Sequence, residues 1–375
     1  MENEILFSPF KLNGFTLKNR IGVAPMTRTS SPGDSIPRQD VLDFLVRRAQ
    51  NGAAIVYTEA IVTDYESAQG YPKQARLTTQ RQIDAWKSVV QAIQQEGAVA
   101  VMQMFHCGRM SSPEVNPAGR VIAPSAITPK QDNPITGSPY VLPDAMTQFD
   151  IDHVIKGFVE TARGAVEAGF DGIEIHGAHG YLVDQFFWEG TNQRDDSYGG
   201  SLVDRTRFGV EIVEACRAAV GPDFPIILRF SQWKQQDYAA RLAQTPEELE
   251  AFLTPLSEAG VDIFHCSQRR FWEPEFEGSN LNLAGWVRKI TGKPAITVGS
   301  VGLDADFIPE TPEDAFREAQ TASLDDLLAR MENDEFELVA VGRALIANPE
   351  WANLVRENRS PELQPFAKEM LATLV

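Results

Sequence analysis

The chain has 375 residues, 43% of them hydrophobic, enough to bury one large core or two ordinary ones. Thirty-four basic residues against 52 acidic ones leave a net charge of −18, which opposes binding to nucleic acid or to an anionic membrane. Cys107, Cys216 and Cys266 are odd in number and far apart, so no disulfide framework, zinc finger or iron–sulfur run can be written from them, and a reducing cytoplasm is the expected setting.

The N-terminal residues have no basic start and no long apolar region, so no signal peptide is expected, and nothing approaches a membrane span. Residues 5 to 19 read as a short hairpin with Asn13-Gly14 at the turn. An apolar run, Ile21 to Ala24, ends in Pro25. Helical pattern then alternates with short buried runs. The predicted helices are Arg38 to Asn51, Thr79 to Glu96, Asp150 to Ala168, Asp204 to Val220, Pro246 to Ala259, Leu283 to Thr291 and Ser323 to Asn333, with one more closing the chain. The predicted strands after the first are Ala53 to Tyr57, Ala98 to Met104, Gly172 to Ile175, Pro225 to Phe230, Val261 to His265, Ala295 to Val298 and Phe336 to Val341. Between Gly108 and Thr147 lies a long segment rich in Pro, Ser and Gly, too apolar for a tether and better read as a wall or lid.

Eight buried runs with helices between them predict an α/β fold, a closed (β/α)8 TIM barrel. It is expected to form a single domain over residues 1–375, with an N-terminal β-hairpin cap and a long loop after strand three. No G-x-G-x-x-G follows a strand and there is no P-loop, which counts against a separate nucleotide-binding domain.

Barrel chemistry belongs at the C-terminal strand ends. Strand one ends there with Pro25, Met26 and Thr27, strand two with Ala60, and strand three with Gln103, facing in or out by strand parity. Taken singly, Thr27 reads as a helix cap and Gln103 as a surface amide. Arg229 ends strand five, where a guanidinium rarely sits without an anion. Gly299-Ser300 and Gly342-Arg343 follow the last two strands. They are either ordinary left-handed turns or a phosphate site built from backbone N–H groups, and their joint position favours phosphate.

Strand four carries the densest chemistry. His176, His179 and Tyr181 leave its end within six residues. If the chain coils there, positions three apart share a face and both imidazoles reach one spot. Two ring N–H donors on one oxygen would polarise a carbonyl, and a phenol nearby has a proton to give. Alone, the pair fits a structural role or half a metal site better.

The whole stretch shifts that weighting. HGAHGYLVDQF, then NQRDDSYGGS, then DRTRF resembles the signature of the Old Yellow Enzyme family of FMN-dependent oxidoreductases, and the likeness runs from LFSPF to NPEW near residue 350. The resemblance implies an ene-reductase with FMN as cofactor and NADPH or NADH as reductant. It acts on an α,β-unsaturated carbonyl compound, with a homo-oligomer as one possible state. By the same resemblance the backbone of Ala24, Pro25, Met26 and Thr27 lines the flavin ring, with the Thr27 hydroxyl near its C4 oxygen and N5. Ala60 allows close approach, Gln103 bonds the pyrimidine edge, and Arg229 sits at N1 and the C2 oxygen. Gly299, Ser300, Gly342 and Arg343 hold the ribityl phosphate. His176 and His179 hold the substrate oxygen, and Tyr181 is the proton donor.

Many family members carry His-x-x-Asn where this chain has His-x-x-His, and Thr27 stands where another branch carries a redox-tuning cysteine. The segments SQWKQQDYAARL and RRFWEPEF are not general family motifs and are expected to shape the substrate pocket. Two other readings stand beside this one. A metal-dependent barrel hydrolase would use the His pair, with His106 or His265 as further ligands. A non-catalytic flavin-binding protein would keep only the phosphate loops.

Overall fold

The structure is a computed structural model that describes residues 3–12, 15–64, 66–133, 136–307 and 318–375. Its strands are β1 (Phe10–Leu12), β2 (Phe15–Leu17), β3 (Ile21–Val23), β4 (Ile55–Val62), β5 (Val99–Phe105), β6 (Ile122–Ala123), β7 (Asp144–Ala145), β8 (Gly172–His179), β9 (Ile226–Lys234), β10 (Ile263–Ser267), β11 (Ala295–Val298) and β12 (Leu338–Val341). The helices are α1 (Glu4–Phe7), α2 (Gln39–Gln50), α3 (Gln80–Gln95), α4 (Gln148–Ala168), α5 (Leu182–Phe187), α6 (Arg207–Val220), α7 (Pro246–Glu258), α8 (Leu283–Thr291), α9 (Asp325–Glu332), α10 (Arg343–Ala347) and α11 (Trp351–Arg356).

Eight strands form a closed parallel barrel in the order β3-β4-β5-β8-β9-β10-β11-β12, and β12 returns to β3 with Val339 opposite Ile21 and Val341 opposite Val23. This is the (β/α)8 fold expected from the alternation. Helix starts follow the sequence signals. Thr79 with Gln82, and Thr147 with Asp150, form capping boxes at α3 and α4, each cap being worth about 1 kcal/mol. Gly169 ends α4 in the left-handed conformation that a side chain would strain.

The N-terminal hairpin is shorter than expected. β1 and β2 pair antiparallel with Phe10 opposite Leu17, but Glu4–Phe7 is helical and buries Leu6. The Asn13-Gly14 turn lies outside the described residues.

Three strands outrun their apolar stretches. β4 continues from Tyr57 to Val62 across a register shift before Ala60, β8 continues to His179 across a shift after Gly177, and β9 continues to Lys234. The ends of β8 and β9 pair with each other, His179 opposite Lys234, while the end of β4 stays paired with β5, Ala60 opposite Gln103 and Val62 opposite Phe105. The Gly108–Thr147 segment packs down as a wall. It holds the parallel pair β6–β7 and buries Met110, Val121, Ile122, Tyr140 and Met146.

The barrel interior is layered by the two-residue strand period. Ile55, Val101, Ile227, Ile263, Ile296 and Leu338 fill an apolar floor. Two residues further on, β4, β5, β9 and β10 carry Tyr57, Gln103, Arg229 and His265, and β8 adds Glu174 to the same level. This polar layer supports the site above it.

Candidate active site

His176 and His179 meet through a bulge in β8, not through a helical turn as expected. His179 has φ 64° and Gly180 has φ 84°, two successive left-handed residues that turn the chain back over the strand end. A non-glycine residue in that region costs on the order of 1 kcal/mol or more, so the surroundings must hold it. The His179 N–H donates to Ser231 Oγ at 2.9 Å, and the Gly180 N–H donates to Asp184 Oδ2 at 2.7 Å. Asp184 Oδ1 is in turn 2.6 Å from Lys234 Nζ, which also donates to the Ser231 carbonyl at 3.0 Å. Both charged side chains are fully buried, so burial raises the Asp184 pKa and lowers that of Lys234, each opposed by its partner.

The two imidazoles lie with ring centroids 5.0 Å apart at 79°. His176 Nδ1 accepts the Ala178 N–H at 3.3 Å, which assigns the ring proton to Nε2. His179 Nε2 is 2.7 Å from Ser267 Oγ, and that hydroxyl also accepts from Arg229 Nη2 at 3.2 Å. Ser267 thus links the His179 ring to Arg229, with the direction of the His179–Ser267 bond set by the imidazole tautomer. Burial, and then the Arg229 charge, push both imidazoles well below the ordinary histidine pKa. Both are neutral at pH 7.

Tyr181 caps α5, and its ring sits edge-on to His176 at 5.1 Å and to Phe105 at 4.6 Å. Its hydroxyl meets the Tyr71 hydroxyl and accepts from Gln235 Nε2 at 3.1 Å. Burial raises the phenol pKa above its usual value, so the proton is held. Ala60, Phe105, Cys107, Met110 and Tyr140 pack around the ring.

Gln103 faces into the barrel, where its Nε2 donates to Glu174 Oε1 at 2.7 Å. Glu174 Oε2 receives the His265 Nδ1–H at 2.7 Å. Arg229 is buried with Nε unpartnered. Ala24 hydrogen-bonds the Val341 carbonyl through its N–H, and Gly342 lies beside Ala24 and Met26, so the segment running on to Pro25 and Thr27 adjoins the β12 end. Thr27 is partly exposed there.

The loops after β11 and β12 converge. Arg343 Nη2 reaches Ser300 Oγ at 3.2 Å and the Ala305 carbonyl at 2.6 Å, while its Nη1 is buried without a partner. Gly299 has φ 138°, and a Cβ there would fall 2.5 Å from the Gln268 carbonyl oxygen. Only glycine fits that turn.

Seven of the polar residues here were not singled out from sequence: Asp184, Ser231 and Lys234 around the bulge, and Ser267, Glu174, Tyr71 and Gln235. Ser267 follows His265-Cys266 at a strand end, a position the barrel rule would have flagged. Glu174 lies two residues before His176, on the same face of β8. Tyr71 and Gln235 come from loops that no periodicity places. Of the two unusual segments, SQWKQQDYAARL puts Trp233 4.7 Å from His179. The other buries Phe271 in the main core and bonds it to the Gly299 carbonyl, bracing the phosphate-type loop.

The metal reading loses its ligands. His106 Nε2 is 3.3 Å from Asp64 and 3.0 Å from Ser67, its Nδ1 accepts the Gly108 N–H, and His265 is tied to Glu174. Among the described residues no group of three or more His, Cys, Asp or Glu is placed to hold a metal.

A parallel barrel with a neutral His pair, a protonated phenol and an arginine-lined turn at one end defines a class: flavin-dependent oxidoreductases of the barrel type. Residues 5–362 match the NADH:flavin oxidoreductase / NADH oxidase family, and the chain belongs to it, within the Old Yellow Enzyme group. It is 33% identical over 367 residues to the NADH oxidase of Thermoanaerobacter brockii, covering 96% of this chain and 52% of that protein. It is also 33% identical over 349 residues to a putative 12-oxophytodienoate reductase 3 of Oryza sativa subsp. japonica, covering 92% of this chain and 84% of that one. The chain spans about half the length of several of the curated relatives it matches. Among solved structures, morphinone reductase in complex with tetrahydroNAD superposes with a TM-score of 0.80 at 26% identity, covering 98% of this chain and 93% of the other. An Old Yellow Enzyme homologue from Zymomonas mobilis gives 0.81 at 24% identity, over 98% and 96%, a likeness of fold.

Membership brings FMN and NAD(P)H as cofactors. The residues fit FMN: Arg229 Nε and Arg343 Nη1 are buried donors awaiting acceptors, one at the polar layer and one at the phosphate-type loops.

Proposed function

We propose that this chain reduces the activated C=C bond of α,β-unsaturated carbonyl compounds, drawing on NAD(P)H through FMN. The observation that carries the reading is the edge-on pair formed by neutral His176 and protonated Tyr181, 5.1 Å apart at one strand end. FMN, when bound, supplies hydride exchange with the nicotinamide and with the substrate carbon. Ala24 to Thr27, Ala60, Gln103 and Arg229 would hold its ring, and Gly299, Ser300, Gly342 and Arg343 its phosphate.

The remaining steps belong to side chains. His176 donates Nε2–H to the substrate carbonyl oxygen and stabilises the charge that grows there in the transition state. His179 completes the oxygen site, its ring fixed between Ser267 and Trp233. Tyr181 delivers its hydroxyl proton to the α-carbon. The Tyr140 wall excludes water from that proton. Relatives named for 12-oxophytodienoate and morphinone support a conjugated ketone as the substrate class.

The β9 and β10 loops border an open cleft of about 220 Å³ lined by Trp233, Tyr238 and Arg269, where the bulk of a substrate would lie. The test is anaerobic: the purified protein is expected to show a flavin spectrum, to bleach with NADH or NADPH, and to recover on cyclohexenone. A reconstituted protein that never bleaches, or that recovers with oxygen and not with any enone, would refute the proposal.

A further inference from the structure

Glu174 has zero exposure and sits in the polar layer beneath the strand ends, among neighbours that carry isoleucine, valine or leucine one layer down. Burying a carboxylate costs several kcal/mol before its partners respond. An apolar residue would fill the same space without that cost, so the polar layer calls for a reason other than packing.

Its contacts supply one. Glu174 Oε1 takes the Gln103 Nε2–H at 2.7 Å, and Oε2 takes the His265 Nδ1–H at 2.7 Å. Because one Gln103 Nε2–H is committed sideways to Glu174, the amide plane is fixed and its carbonyl oxygen is left to accept from a ligand. Arg229 is the cation at this level, and its charge interacts with Glu174. His265 is kept from protonating mainly by burial, which leaves Arg229 as the cation facing the Glu174 carboxylate.

We infer that Glu174 is a positioning residue for the flavin site: it fixes Gln103 as an acceptor toward the ring N3–H and offsets part of the Arg229 charge at the pyrimidine edge. The inference rests on the flavin reading above. Reduced flavin carries its extra negative charge at that edge, so an unopposed Arg229 favours the reduced form. Glu174 therefore holds the reduction potential down.

Two effects separate in mutants. Glu174→Gln removes the charge and replaces the charge-assisted bond that holds Gln103 with a weaker neutral one, its amide oxygen still accepting the Gln103 N–H. It is expected to weaken oxidised FMN binding and to shift the ratio of oxidised to reduced dissociation constants about tenfold toward the reduced form, a rise of about 30 mV for the two-electron couple. Glu174→Asp keeps the charge and should restore the potential. Gln103→Leu removes the neutral amide alone, so it should weaken FMN binding and leave the potential in place.

The measurements are FMN titration of the apoprotein and dye-equilibrated potentials. A potential unchanged in FMN-loaded Glu174→Gln overturns the inference. Should that variant fail to fold, a potential that moves in Gln103→Leu as far as 30 mV overturns it as well. Wild-type protein that binds no FMN defeats the flavin reading instead, and the two failures are distinct.

Discussion

In the proposed reduction, Tyr181 is a poor acid by pKa and a good one by position. Its proton is held by burial, and its hydroxyl lies in a chain with Tyr71 and Gln235, so a proton leaving toward substrate is replaced along that chain. Tyr181→Phe keeps the ring contacts with Phe105 and His176 and deletes only the acid. On the proposed mechanism, reduction by NAD(P)H needs no proton from this residue, whereas enone reduction does. Stopped-flow traces are expected to show reduction nearly unchanged and reoxidation by cyclohexenone slowed by ~10²–10⁴, the usual worth of general acid catalysis. Reoxidation by oxygen or a quinone should survive. Equal slowing of both halves would make Tyr181 a packing residue.

At the scale of elements, the β8 bulge depends on a salt bridge that touches nothing reactive. Asp184 and Lys234 pin the Gly180 turn between α5 and β9, and neither is exposed. Removing one partner strands the other as a buried charge, at a cost of about 3–5 kcal/mol. Asp184→Ala is expected to lower the denaturation midpoint sharply. Asp184→Leu combined with Lys234→Met should recover much of that stability while leaving His179 misplaced and enone turnover poor. A double variant with full activity would show that the turn holds itself. The phosphate-type loops make a second element-scale case. Arg343 bridges Ser300 and Ala305 across two loops, so Arg343→Ala should purify with depleted FMN, read by absorbance per protein. Full occupancy would remove Arg343 from the phosphate site.

These elements also show what sequence can carry. Eight apolar runs separated by amphipathic helices were sufficient for the barrel, because burial inside it is a local, periodic signal. His176, His179, Arg229 and Arg343 stood out by their place at strand ends. The bulge did not, since a left-handed histidine is held by Ser231 on another strand. Glu174 and Ser267 matter through partners that lie 71 and 88 residues away in the chain, Gln103 and His179, and no local pattern encodes such pairs.

At the scale of the whole molecule, buried titratable groups fix how stability follows pH. His176, His179 and His265 are held neutral chiefly by burial, with pKa values below the ordinary ~6.5. Their contribution is complete above that pH and is lost as pH falls, because the unfolded chain then binds protons the folded one refuses. Glu59 and Glu275 run the other way. Burial raises both to about 7, so their contribution is complete below the unfolded value of ~4.3 and is lost as pH rises toward 7. Each such group changes stability by at most about 1.4 kcal/mol per pH unit inside its window. The two sets oppose each other between roughly pH 4.5 and 6.5, which flattens the profile there and leaves the glutamate loss dominant just above it. Glu59→Gln removes one glutamate while keeping an acceptor for the Arg28 N–H. Its Tm relative to wild type is expected to rise between about pH 5 and pH 7 and to level off above that. A gain of the same size at pH 5 and pH 8 would mean that Glu59 is ionised in the folded protein throughout, and that Arg28, over Phe44 and bonded to the C-terminal carbonyls, compensates its charge.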